Sequence, residues 1–257
     1  MRLPGNVTMD AKRADRHFVD DGSDEEGPGG TAKISSAASA YLQTIYLLSE
    51  DGRPATTQHV AWELGVASSS VTNMFKRLSG LGLLVHTPYR GATLTESGVQ
   101  VALQLTRRCR LLELYLVRAL GYHWDEVQVE ANRLARAISD ELTERIEVAL
   151  GYPTLDPHGD PIPSQSGMVV STPGLHLLDL VPGLTAQVCR VSERDAGRLR
   201  YLGELGLAPG NVVEVLELLP FDGPLRIKVA GREQVISRQL ATDVLVETRR
   251  VSSLRQT

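Results

Sequence analysis

A chain of 257 residues with 42% hydrophobic content is long enough to bury a core and to divide into two or three domains. Its formal net charge of −4 excludes a protein that is basic throughout, and its two cysteines, Cys109 and Cys189, exclude a disulfide scaffold or a zinc ribbon. There is no secretory apolar stretch and no long apolar span, so a membrane protein is not expected and the cytoplasm is the expected compartment.

Residues 1–32 are rich in Asp, Glu, Gly and Pro and hold few large apolar side chains, so a disordered acidic tail is expected there. A helix is expected over 34–49, where Ala40, Tyr41, Thr44, Ile45 and Leu48 recur at helical spacing. Asp51-Gly52-Arg53-Pro54 ends it.

The stretch 56–95 reads as a winged helix-turn-helix. Thr56 can cap a short helix that turns Val60, Ala61 and Leu64 to one face, and Gly65 supplies the tight turn. A second helix opens at Ser68-Ser69-Ser70, with Val71, Phe75 and Leu78 inward and Thr72, Asn73, Lys76 and Arg77 outward. Tyr89-Arg90-Gly91 then lies between two short β-prone runs, in the manner of a wing. Such spacing holds a helix proud of the surface, where it fits the major groove, so double-stranded DNA is the expected partner. From 66 to 95 the charged residues are Lys76, Arg77 and Arg90, with no carboxylate. Screening separates this basic face from the acidic residues elsewhere, so the global charge does not oppose phosphate contact.

A long helix is expected over 96–120, and a second over 125–150 with Val127, Ala131, Leu134, Ile138, Leu142, Ile146 and Ala149 as its apolar stripe. Two amphipathic helices of this length suit a homodimer interface. Residues 151–173 are crowded with Pro and Gly and read as tight turns leading to a linker. Short β-prone runs follow at 186–191, 212–218, 225–229, 234–237 and 244–247, with a helical piece over 195–205. They suggest a small β-barrel.

In this order the segments resemble the DtxR/MntR metal-dependent repressors, in the three-part form with a C-terminal SH3-like (FeoA-like) domain. The resemblance spans 36–247. It is carried by Ala-Tyr-Leu-Gln-Thr-Ile-Tyr at 40–46, Ser-Ser-Val-Thr-Asn-Met-Phe-Lys-Arg-Leu at 69–78 and Leu-Thr-Glu-Ser-Gly at 94–98. Ile-Ser-Asp-Glu-Leu at 138–142, His-Gly-Asp-Pro-Ile-Pro at 158–163 and Leu-Gly-Leu-Ala-Pro-Gly at 205–210 add to it. It implies an α+β protein: a winged helix domain over 33–98, an α-helical dimerisation domain over 99–163, a linker over 164–176 and an SH3-like β-barrel over 177–250. It implies a cytoplasmic, dimeric, non-enzymatic transcriptional repressor that binds operator DNA when Fe(II) or Mn(II) is bound. Ser68, Ser69, Ser70, Thr72, Asn73, Lys76, Arg77 and Arg90 would meet the DNA. Asn73 would read bases, because an Asn amide bonds adenine through N6 and N7.

The metal positions implied by the resemblance are degenerate. The primary ligands fall on Ala40, Asn132, Ala135 and Arg136, and a further carboxylate position on Gln43; none is a strong donor for a first-row divalent ion. The primary site is therefore expected to be absent, with a guanidinium at Arg136 as one stand-in for the ion. A remnant set of Cys109, Glu113 and Asp195 is the alternative that keeps divalent-metal control. A protein-interaction module is a second alternative, disfavoured by the charged outward face of the second helix. The six histidines show no ligand spacing with one another and read as structural, His158 among them. No nucleophile motif, P-loop or dinucleotide-binding fingerprint is present, so an enzyme is not expected.

Overall fold

The computed structural model describes residues 34–49, 52–170, 174–192 and 195–248; the acidic tail expected over 1–32 lies outside them. The chain forms two compact units, divided between Ala102 and Leu103.

In the first unit, helices α1 (Ser36–Leu48), α2 (Thr57–Leu64) and α3 (Ser68–Gly80) precede a hairpin of β1 (Leu84–Thr87) and β2 (Gly91–Leu94). Local chemistry sets the helix ends. Ser35 caps α1 by accepting from the Ala38 N–H, and Thr56 caps α2 by accepting from the His59 N–H. At the end of α2, Gly65 adopts φ 66°, and the Val66 N–H closes on the Ala61 carbonyl. A side chain at Gly65 would strain this left-handed turn, on which the angle between α2 and α3 depends. Leu42, Ile45, Val60, Val71, Phe75 and Leu78 meet in a core from which water is excluded. Each such side chain contributes about 1.5–3 kcal/mol of apolar burial before chain entropy is counted. His86 of β1 packs edge-on against Phe75 of α3 with ring centroids 5.3 Å apart, which ties the wing to the second helix of the motif.

Helix α4 (Glu96–Leu120) begins in the first unit and continues into the second. There it packs with α5 (Val127–Ala135) and α6 (Asp140–Ala149) around Leu111, Leu112, Val127, Ala131 and Ile146. The single helix expected over 125–150 is thus two. Ser139 breaks it, because its hydroxyl accepts from the Leu142 N–H and starts a new helix with Asp140 and Glu141 in the first turn. The apolar stripe continues across the break and hides it.

The C-terminal part comprises β3 (Leu175–His176), a 3-10 turn (Leu177–Asp179), β4 (Thr185–Val191) and α7 (Ala196–Glu204). Strands β5 (Val212–Leu218), β6 (Leu225–Val229) and β7 (Arg232–Ile236) follow, then α8 (Arg238–Thr242) and β8 (Val244–Thr248). The expected SH3-like barrel is not formed. The six strands make one open antiparallel sheet of order β3-β8-β4-β5-β6-β7, and no pairing joins its two edges among the described residues. Closure needs edge strands long enough to pair, and β3 has two residues. One face of the sheet is buried: Val188, Val213, Val215, Ile227 and Val246 pack beneath Leu199 and Leu202 of α7. No helix among the described residues is long and apolar enough to cross a membrane.

Candidate functional site

Helix α4 carries two arginines that are buried although no motif announces them. Arg107 donates to the Pro163 carbonyl at 2.8 Å and pairs with Glu147 of α6 at 2.5 Å. Arg110 donates to the Pro161 carbonyl at 2.5 Å. These bonds lay the proline-rich loop over 154–163 along α4, and its own bonds, Asp156 N–H to the Asp160 carbonyl and Ile162 N–H to the Thr154 carbonyl, keep it closed. Buried guanidiniums must be paired in this way, because an unpaired charge there would be costly.

The loop brings Asp156 and His158 to Glu113 of α4. All three are buried, and one donor atom from each lies within 4.8 Å of the others. Asp156 Oδ1 accepts from the N–H groups of His158 at 2.8 Å and Asp160 at 2.9 Å, which fixes the carboxylate; its Oδ2 lies 3.7 Å from Arg110. His158 Nε2 is 2.8 Å from the Trp124 carbonyl, and its Nδ1 is 3.6 Å from Glu113 Oε2. A carbonyl only accepts, so Nε2 carries the proton and Nδ1 of the neutral ring presents its lone pair to the two carboxylates.

The electrostatics of the group are those of a site short of positive charge. Burial pushes the Asp156 carboxyl up to about 7, with the nearby charges of Glu113 and Asp160 adding to it and His158 and Arg110 acting against it. For His158, burial disfavours the charged ring, but the adjoining carboxylates of Glu113 and Asp156 favour it and outweigh burial, so its pKa is raised. Two carboxylates and an imidazole, desolvated together, match the donor chemistry of Mn(II), Fe(II) or Zn(II).

The same loop rests on the C-terminal sheet. The Val191 N–H of β4 donates to the His158 carbonyl at 2.8 Å. Gly159 has φ 83°, and a Cβ there would stand 2.0 Å from the Cys189 carbonyl oxygen, so only glycine allows the approach. Arg190 Nε lies 2.5 Å from Asp160 Oδ1, an ionic contact whose angle is not that of a hydrogen bond. Beside it, Trp124 packs on the sheet core, and its ring lies 5.4 Å from that of His158. Asp125 Oδ2 accepts from Arg200 Nε of α7 at 2.8 Å.

Of the remnant set expected from sequence, only Glu113 is in the cluster. Cys109 is buried and donates to Asn132 Oδ1 at 3.2 Å, and Asp195 is the exposed N-cap of α7, accepting from the Arg198 N–H at 3.0 Å. The cluster's other two members are Asp156 and His158, which sequence reasoning did not place among the candidate metal residues; His158, expected to be structural, lies in this cluster. Their signal was the i, i+2 pair in the turn Asp156-Pro157-His158-Gly159, two residues apart and both aimed inward. Ala40 and Ala135 are buried, and Arg136 is the exposed C-cap residue of α5.

At the other candidate interface, Ser69, Asn73, Lys76 and Arg77 lie exposed on α3, as do Ser68 at its start and Arg90 in the wing. Ser70 and Thr72 are half-buried, and the Thr72 hydroxyl donates to the Ser68 carbonyl at 3.0 Å within the helix.

The chain matches three family descriptions in succession: iron dependent repressor, N-terminal DNA binding domain, over residues 33–92; iron dependent repressor, metal binding and dimerisation domain, over 95–164; and FeoA domain, over 175–248. It is 31% identical to the iron-dependent repressor IdeR of Mycobacterium tuberculosis over 220 residues, 80% of this chain and 95% of that one. Among solved structures, a manganese-dependent transcriptional repressor in complex with manganese is 35% identical, covers 82% of this chain and 99% of its own, and superposes with a TM-score of 0.75. ScaR with bound Cd2+ is 30% identical over 82% of this chain and 99% of its own, with a TM-score of 0.71.

Proposed function

The chain belongs to the DtxR/MntR family of iron- and manganese-dependent repressors, and we propose that it is a DNA-binding transcriptional regulator under divalent-metal control through Glu113, Asp156 and His158. The observation that carries this reading is the convergence of three buried donors within 4.8 Å, with the imidazole tautomer set by the Trp124 carbonyl. Such a cluster supports retained metal control over release from it. The donors are one helix residue and two loop residues, in place of the expected Cys109, Glu113 and Asp195.

A divalent cation at this position supplies the positive charge that the buried group lacks. Toward it, Glu113 and Asp156 offer carboxylate oxygens and His158 offers Nδ1, and Asp156 gives up the proton that burial otherwise favours. Because the loop also touches β4, ordering of the donors orders the seat of the C-terminal sheet. A second copy of this chain is the proposed partner of an apolar groove of about 330 Å³ lined by Leu112, Leu116, Leu134, Ile138, Leu142 and Ile146. The groove lies within the stretch matched by the dimerisation description. Two copies would present two α3 helices to the half-sites of an operator.

The test is titration calorimetry of chelator-stripped protein with Mn(II), joined to fluorescence anisotropy on a duplex that the protein selects from a random pool. Expected are saturable Mn(II) binding, lost in Glu113→Gln, and DNA affinity that falls about tenfold or more with chelator. Equal affinity with chelator and with Mn(II) would overturn metal control and leave DNA binding standing.

A further inference from the structure

The wing holds an aromatic residue in a backbone conformation that its side chain disfavours. β1 and β2 pair from Leu84↔Leu94 to Thr87↔Gly91, so Pro88, Tyr89 and Arg90 make the connection. The Arg90 N–H donates to the Thr87 carbonyl at 3.1 Å and closes a four-residue turn, with Pro88 second and Tyr89 third. Tyr89 has φ 63°, and a positive φ at the third position of a turn is ordinarily filled by Gly or Asn. Its relative exposure is 108%, the greatest of the exposed large hydrophobic side chains among the described residues. The fold thus places a tyrosine where glycine would fit, and buries none of it in return.

An exposed outlier of this kind points to a role outside the molecule. Three observations say which. Tyr89 is next to Arg90; no carboxylate occurs between 66 and 95; and the Phe75–His86 contact holds the wing beside α3. An exposed aromatic ring next in sequence to an exposed guanidinium, beside a helix expected to face DNA, suits a nucleic-acid backbone, where the ring would lie on sugar and the hydroxyl would reach phosphate.

We infer that Tyr89 is a DNA-contact residue, presented by the wing to the minor-groove side of the duplex next to the bases that α3 faces. The inference rests on DNA binding by this family and not on the metal reading.

The test compares wild type with Tyr89→Gly and Tyr89→Phe on the duplex selected from a random pool by the wild-type protein, with Mn(II) present throughout. Glycine fits the turn, so the melting temperature of Tyr89→Gly is expected to stay within about 2 °C of wild type. Its affinity is expected to fall about tenfold, and hydroxyl-radical protection of the sugars flanking the α3 half-site is expected to be lost. Tyr89→Phe, which keeps the ring, is expected to retain the footprint. An affinity of Tyr89→Gly within about twofold of wild type, with the flanking footprint intact, would overturn the inference. Failure of the metal reading would appear instead as wild-type binding that ignores chelator, which leaves the comparison of variants intact.

Discussion

The imidazole of His158 and the backbone carbonyl of Trp124, 2.8 Å apart, set the chemistry of the buried cluster. With the proton held on Nε2, Nδ1 is left to face Glu113, so a residue in a flexible-looking turn becomes a directed donor. Trp124 in turn packs against the core of the C-terminal sheet. One residue therefore orients the His158 ring through its backbone and packs on the sheet through its side chain. The buried cluster and the seat of the C-terminal sheet share a single support.

Asp156→Asn separates charge from shape. The amide oxygen still accepts from the His158 and Asp160 N–H groups, but the carboxylate that burial and Glu113 destabilise is gone. The net upward shift of Asp156 means that these effects outweigh its contact with Arg110. At about pH 8 the metal-free variant is expected to be more stable than wild type by about 1–3 kcal/mol, or roughly 3–10 °C. Its melting temperature should not respond to Mn(II). Thermal melts with and without the metal check both halves, and a less stable variant would contradict the electrostatic argument.

The pH dependence of the metal-free protein has a defined sign. Asp156 is raised from 3.8 to about 7 and His158 is raised above 6.5, so over that range the folded state binds more protons than the unfolded chain. Their contribution is present in full at low pH and is lost as pH rises through the folded values. Mn(II) requires the deprotonated donors, so its stabilising effect should grow across the same window. Melts from about pH 5 to about pH 8 should show the gap between Mn(II)-loaded and chelated protein widening upward, and Asp156→Asn should flatten it. A gap that narrows with pH would place the metal elsewhere.

Gly159→Ala tests the seat of the loop on the sheet. The new Cβ would meet the Cys189 carbonyl at 2.0 Å in a backbone of φ 83°, and neither partner is a flexible side chain. A loss of about 2–4 kcal/mol is expected, with weakened Mn(II) affinity because His158 is the preceding residue. Gly121→Ala is the control: φ is 72° but nothing lies within 4 Å, so only the backbone preference is lost, about 1 kcal/mol. Urea unfolding of the two variants would distinguish them, and equal losses would mean that the close approach carries no energy.

Much of this architecture is legible in the sequence because local chemistry decides it. The periodicity of Val60, Ala61 and Leu64 and of Val71, Phe75 and Leu78, with Gly65 between, marks the two helices and their turn. The runs at 212–218 and 225–229 coincide with β5 and β6 because one face of each is buried. What escapes is set by distant partners. Barrel closure depends on whether β3 and β7 meet, and alternation within a strand carries no information on that. The candidate cluster joins Glu113 on a helix to Asp156 and His158 in a turn, and its assembly depends on Arg107 and Arg110, whose burial follows from the loop carbonyls they hold. The break between α5 and α6 rests on one hydroxyl, that of Ser139, inside an unbroken apolar stripe.

The apolar groove between α4, α5 and α6 makes a last prediction about assembly. Leu142 lines it yet is 43% exposed, and Leu120 beside it is 59% exposed, so this surface is unfinished in a single copy. A carboxylate introduced by Leu142→Glu would remain hydrated in the monomer and would be desolvated without a partner in the pair. Its cost therefore falls on association, weakening it about a hundredfold or more, while the helical circular dichroism of the chain stays as in wild type. Light scattering on a sizing column should give twice the chain mass for wild type and one chain mass for the variant. Operator affinity should fall with dimerisation, since a single α3 contacts only one half-site. A variant that keeps the doubled mass would move the interface away from this groove, and a wild type of single mass would remove the second copy as its occupant.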